Sequence, residues 1–225
     1  MAELIVALDC QSVDPARRLL DRLPGVRWVK IGPMLFVAGG PEFVRECRAR
    51  EAHVFLDLKW HDIPHAVAGA VRAASALGVD LATVHALGGE EMVRAAVEAR
   101  GHMRVAGVSV LTSHTPESFG RVVGQPRPDL AAEVERLARL LVDAGVDAVV
   151  TSPHEIATVR AVAGADCWIV VPGIRPAGSE PHDQSRTAEP RAAVAAGATH
   201  LVVGRPITGA RDPREVYQSI CEAIG

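Results

Sequence analysis

Lysine is nearly absent from this chain. Its 225 residues include 24 Lys plus Arg, but only Lys30 and Lys59 are lysines, so 22 arginines fill the ordinary cationic positions. Arginine stays protonated under almost all conditions, whereas lysine is a compact charge that can give up a proton. The two exceptions are therefore marked for chemistry, against the plain alternative that two lysines survived by chance. Paired cysteines are also lacking. Cys10, Cys47, Cys167 and Cys221 are scattered without a CxxC, which argues against a disulfide frame or a zinc site and for free thiols in a reducing cytoplasm. No apolar run approaches the roughly 20 residues that span a bilayer. The opening MAELIVALD has no basic segment and is interrupted by Glu3 and Asp9, unlike a signal peptide. Neither sign of charge is in large excess. A net charge of −3 gives no electrostatic basis for binding nucleic acid or an anionic membrane. A Walker A loop and a GxGxxG after the first strand are both missing, which disfavours nucleoside triphosphates and dinucleotide cofactors. No linker rich in Pro, Ser or Gly divides the chain, so 1–225 is expected to form a single domain.

What is present is an alternation. Short β-branched runs at 4–9, 28–32, 53–59, 80–86, 104–112, 147–152, 167–173 and 200–205 read as strands. Helical segments follow them, for example 65–78, 89–99, 129–145 and 212–224. LGVDLATVH, AGVDAVVTS and AGATHLVVG repeat one plan: a helix closes at Gly and a buried strand begins soon after. Eight βα units predict an α/β fold, a parallel sheet closed into a (β/α)8 barrel, with an open doubly wound sheet as the alternative.

Barrel chemistry sits where strands end. The polar residues at the expected strand ends are Asp9, Lys30, Asp57, Lys59, His85, Thr112, Ser152 and Arg205, and both lysines are among them. The stretch FLDLKWHDIP, residues 55–64, concentrates the signal, with Asp57, Lys59 and Asp62 at the end of an apolar strand. Strand periodicity turns Asp57 and Lys59 to one face, and Leu56 and Leu58 to the other. At a separation of about 4 Å and an effective dielectric near 20, each opposite pair is worth about 4 kcal/mol. Such a cluster can serve as a buried ion network. It can also repel an anionic group placed beside Asp57 and let Lys59 stabilise and protonate a developing carbanion. The second reading suits a reaction that loses a carboxylate and gains a proton.

A further constellation lies late in the chain. PGIRPAGSEPHDQSRT (172–187) follows the seventh strand and VVGRPITGA (202–210) includes the end of the eighth, where barrels frequently bind phosphate. Gly204 permits close backbone approach and Arg205 offers a bidentate fork. Arg175 and Gln184 belong to the longer loop, read as a lid. A solvated loop with surface arginines is the plainer alternative. His61 and His65 are four apart, but Pro64 between them argues against a helical ligand pair.

The ordered set LIVALD, VKIG, FLDLKWHDIP, VHALGG, VLTS, PGIRP, the DQ pair and VVGRPI resembles the orotidine 5′-phosphate decarboxylase family, in its compact bacterial form, from Leu4 to about Tyr217. The resemblance implies conversion of orotidine 5′-monophosphate to uridine 5′-monophosphate and CO₂, with no metal or organic cofactor, as the last step of de novo pyrimidine synthesis in the cytoplasm. It also implies roles for particular residues. Lys59 is similar to the proton donor to C6, Asp57 lies beside the substrate carboxylate, and Lys30 contacts the ribose and orders the charges. Asp62 resembles the acid given to the neighbouring subunit's site in a homodimer. Asp9 matches a ribose ligand and Thr112 a pyrimidine contact, while Arg175, Gln184, Gly204 and Arg205 match the phosphate grip. Two departures stand out. The family usually follows HDIP with Asn-Thr, whose hydroxyl assists ribose binding across the dimer, and here the pair is His65-Ala66. Glu189-Pro190 replaces the usual Thr-Pro after the DQ segment. Other readings stay open at this point: a Mg²⁺-dependent relative such as 3-hexulose-6-phosphate synthase, a phosphate-binding module without turnover, or a structural protein with buried ion pairs.

Overall fold

Two buried faces on every strand demand a layer of side chains inside the sheet and a layer of helices outside it. The computed structural model describes residues 2–176 and 187–225. Its strands are β1 (Glu3–Ala7), β2 (Trp28–Ile31), β3 (His53–Trp60), β4 (Leu81–His85), β5 (Arg104–Val108), β6 (Ala148–Val150), β7 (Trp168–Val171) and β8 (His200–Val203). They pair in parallel in chain order, and β8 returns to β1, with Glu3 opposite His200. The sheet is thus closed, as the eight βα units predict, and the open alternative is excluded.

The helices are α1 (Val13–Asp21), α2 (Pro33–Ala49), α3 (Pro64–Ala76), α4 (Glu90–Ala99), α5 (Pro116–Val123), α6 (Leu130–Asp143), α7 (Ile156–Ala163), α8 (Pro190–Ala195), α9 (Arg205–Thr208) and α10 (Pro213–Ile224). The repeated glycines behave as their positions predict. Gly78, Gly145 and Gly197 follow the last residues of α3, α6 and α8 and take φ of +82°, +85° and +111°. An L side chain is disfavoured there, and the turn returns the chain to the next strand. Helix α5 is additional to the helix expected over 129–145, which forms α6. A capping box between Thr115 and Ser118 starts it and Gly124 ends it.

Period two sorts the strand residues. Ile5, Ala7, Phe55, Leu81, Ala106, Ala148, Val170 and Val202 form the interior cluster. Leu4, Val6, Val29, Val54 and Leu56 belong to the layer under the helices. The N-terminal end of the barrel is stoppered by rings. Trp28 lies 4.7 Å from His53 and Trp168 lies 4.1 Å from His200, between ring centroids, with the Arg104 guanidinium 4.2 Å over Trp168. Toward the C-terminal end, small interior residues such as Ala7 leave room, and the side chains become charged.

Several strands stop earlier than the expected bounds. β5 ends at Val108 and β8 at Val203, so Asp9, Thr112, Ser152 and Arg205 lie just past the ladder. Val110, only 3% exposed, explains the longer apolar run after β5: it is buried in the mouth without being paired in a strand.

Candidate functional site

A cavity of roughly 460 Å³ opens at the C-terminal end of the barrel. Ala7, Phe55, Val108, Val150 and Val202 line its apolar part, and Asp9, Lys30, Asp57, Lys59, Thr112, Arg175, Gly204 and Arg205 supply polar groups. That size and lining suit a small polar ligand with one flat apolar face.

The charges form a connected row. Lys30 Nζ is 3.0 Å from Asp9 Oδ1 and 3.5 Å from Asp57 Oδ2, and Lys59 Nζ is 2.8 Å from Asp57 Oδ1. Asp57 is 9% exposed, so its charge needs partners. Burial pushes the Asp57 pKa up, but the Lys30 and Lys59 charges, with hydrogen bonds from Lys59 and Thr83, outweigh it and hold the carboxyl below the usual range. Burial likewise pulls Lys30 toward the neutral form. Asp57 and Asp9 outweigh that, so its pKa stands above the ordinary lysine value. Alternating signs thus keep the buried pair ionised.

Lys59 does not reach this row by simple strand alternation. β3 pairs with β4 at Leu56–Ala82 and next at Trp60–Val84, so four steps of β3 advance against two of β4. The extra length is a bulge, and inside it Lys59 adopts φ +50°. A left-handed lysine in a strand costs on the order of 1–3 kcal/mol. The fully buried Thr83 supports it: Lys59 N–H donates to Thr83 Oγ1 at 2.8 Å, and that hydroxyl donates to Asp57 Oδ1 at 3.0 Å. Sequence reasoning missed Thr83. Its signal is a polar residue two before His85, on the inward face of an apolar strand.

The other predicted residues divide. Thr112 and Arg205 line the cavity, Gly204 precedes α9, and Arg175 is buried. Arg175 N–H donates to Ala188 O and its Nη1 to Ile174 O, each at 2.9 Å, beside a bridge between Ile174 and Ala188. Gln184 lies outside the described residues. Asp62 is exposed and does not line the cavity of its own chain; its Oδ1 accepts the Ile63 N–H at 2.7 Å. His85 and Ser152 also stand at strand ends without lining the cavity. Both cap short turns: His85 Nδ1 accepts from Leu87 N–H at 3.3 Å, and Ser152 Oγ accepts from His154 N–H at 3.3 Å. Burial first, then the charges of His61, Lys59 and His114, lowers the His85 pKa to about 4, so near neutral pH it is an uncharged cap. Pro190 opens α8, with Glu189 at its N-cap.

No helix among the described residues is long and apolar enough to cross a membrane. A sequence model described as "Orotidine 5'-phosphate decarboxylase / HUMPS family" matches residues 2–220. The orotidine 5′-phosphate decarboxylase of Halorhodospira halophila is 48% identical, over 98% of this chain and 95% of its own. That of Thermobifida fusca is 50% identical, over 94% of this chain and 91% of its own. The crystal structure of orotidine 5′-phosphate decarboxylase from Lactobacillus acidophilus covers both chains completely, at a TM-score of 0.89 and 32% identity. Near-complete coverage by relatives this similar leaves no part of the barrel unaccounted for, and the chain belongs to the orotidine 5′-phosphate decarboxylase / HUMPS family.

Proposed function

We propose that this chain converts orotidine 5′-monophosphate to uridine 5′-monophosphate and CO₂, the closing step of de novo pyrimidine synthesis, without a metal or organic cofactor. The observation that carries the reading is the unbroken row Asp9–Lys30–Asp57–Lys59 on the wall of one cavity. The substrate carboxylate at C6 is set beside Asp57, where two like charges in a closed site repel. The bond from C6 to the carboxylate breaks and its electron pair stays on C6. CO₂ leaves, and the Lys59 ammonium stabilises the pair and then gives C6 its proton. Solvent returns a proton to Lys59. Lys30 and Asp9 hold the ribose, and Thr112 contacts the base. The phosphate is gripped at Gly204 and Arg205, with Arg175 and Gln184 from the preceding loop. Lys30 already stands between Asp9 and Asp57, where a bridging cation would have to sit, which favours this reading over Mg²⁺-dependent enediolate chemistry on a phosphosugar.

The working unit in this reading is a homodimer in which Asp62 completes the neighbouring site. Its exposure, together with that of its neighbour Ile63 and of Met34 and Val37 in the first turns of α2, supports a surface covered by a second copy. Metal-free, EDTA-treated protein incubated with orotidylate should bleach the substrate's absorbance and yield UMP. Activity that vanishes with EDTA and returns with Mg²⁺ would favour the phosphosugar chemistry, and UMP binding without any turnover would leave only a binding module.

A further inference from the structure

We infer that Thr83 is a positioning residue for the decarboxylation, an inference that rests on the function proposed above. Its hydroxyl ties together the two groups whose relative placement the reaction needs. It accepts from the Lys59 amide at 2.8 Å and donates to Asp57 Oδ1 at 3.0 Å. An ionised carboxylate can only accept, and a hydroxyl has one proton, so the two bonds determine each other's direction. The bulge takes the Lys59 amide out of register with β4, and Thr83 Oγ1 serves as its acceptor. The same bond stabilises the positive φ of Lys59, which sets where its side chain starts. The bond to Oδ1 fixes the Asp57 carboxylate, so that one oxygen faces Lys59 Nζ and the other Lys30 Nζ. Thr83 is fully buried on the barrel's inward face, and its β-branched side chain has few rotamers. It is absent from the cavity lining and acts through its neighbours.

Thr83→Val keeps the shape but loses both bonds, Thr83→Ala loses them without adding a methyl beside the carboxylate, and Thr83→Ser restores the hydroxyl. With orotidylate as substrate, kcat should fall by about a hundredfold or more in Thr83→Val, the scale set by misplacing a reacting group by roughly an ångström. KM and UMP affinity should stay within a few-fold, and Thr83→Ser should recover most of the rate. If Thr83→Val does not fold, Thr83→Ala carries the same expectation. A folded Val or Ala variant with near-wild-type kcat overturns the inference. So does failure of both to fold while Thr83→Ser works normally, because Thr83 would then serve stability alone. Wild-type protein is assayed first. Absence of turnover there defeats the proposed function itself, whereas wild-type turnover with unaffected variants defeats only the role of Thr83.

Discussion

Lys59 Nζ lies 2.8 Å from Asp57 Oδ1 although the two residues are separated by a single position in a bulged strand. The contact is a consequence of backbone geometry. The bulge and the positive φ bring the ammonium back onto the carboxylate, and Lys30 on the neighbouring strand closes the other side. A buried ion pair is weak evidence for stability, because desolvation can exceed the Coulombic gain. An arrangement that also uses a left-handed lysine is better explained by the chemistry of the ammonium.

The first prediction concerns that ammonium. Lys59→Ala should fold, since Asp57 keeps Lys30 and Thr83 as partners, while kcat falls by roughly four orders of magnitude through loss of both proton donor and charge stabilisation. Thermal unfolding and single-turnover conversion of orotidylate measure the two effects separately. Near-normal turnover in the variant would refute Lys59 as the donor, and a large loss of stability with kcat intact would make the cluster structural.

A second prediction comes from the opposite end of the barrel. His200 is 4% exposed and packs on Trp168. Burial, reinforced by the Arg104 charge, lowers its pKa to about 4. The unfolded chain titrates near the ordinary value of about 6.5. Between those values the unfolded state binds a proton that the folded state refuses. Stability should therefore be full above about pH 6.5, decline as the pH falls toward 4, and stop declining below it, with His200 contributing on the order of 3 kcal/mol. His85 acts in the same window and direction. Asp57, whose pKa is lowered, loses its contribution only at still lower pH. Urea titrations at pH 7.5 and 4.5 should show a smaller difference in His200→Gln than in wild type. An unchanged difference would exonerate His200.

Much of this architecture is legible in the chain itself. Glycines such as Gly78 and Gly145 can be read as helix ends because only their left-handed φ turns the chain in so few residues. Asp57 and Lys30 stand out as charges in apolar strands. Local pattern fails where a feature depends on distant residues. Alternation places Asp57 and Lys59 on one face, yet nothing in LDLKW announces a bulge, because the partner that supports it, Thr83, is 24 positions away. The end of β5 is hidden for a related reason: burial in the cavity mouth, as at Val110, and burial in a ladder select the same apolar residues. Ser152 and His85 lie at strand ends as expected, but whether a strand-end side chain faces the mouth or caps the next turn depends on loop geometry.

A third prediction tests the phosphate grip. Arg205→Ala should lower kcat/KM for orotidylate about 10- to 100-fold, the range for one charged hydrogen-bonding group. Activity on orotidine, which has no phosphate, should hardly change. Binding energy from the remote group is used at the reacting carbon, so kcat as well as KM should suffer. An equal loss on both substrates would place Arg205 elsewhere in the mechanism.

The last prediction asks whether the site crosses between subunits. Asp62 is exposed on its own chain and absent from its own cavity, although the backbone has already turned its carboxylate toward the Ile63 amide. If Asp62 completes the neighbour's site, Lys59→Ala and Asp62→Ala homodimers should each be nearly inactive. In a mixed dimer one site inherits both substitutions. The other combines Lys59 from the Asp62→Ala chain with Asp62 from the Lys59→Ala chain and is fully wild type. Symmetry requires that pairing whenever the contact is isologous. Co-refolding the two variants should restore a fraction of wild-type activity, in proportion to the heterodimer resolved by differently tagged subunits. Heterodimer without activity would confine each site to one chain and leave Asp62 without its proposed role.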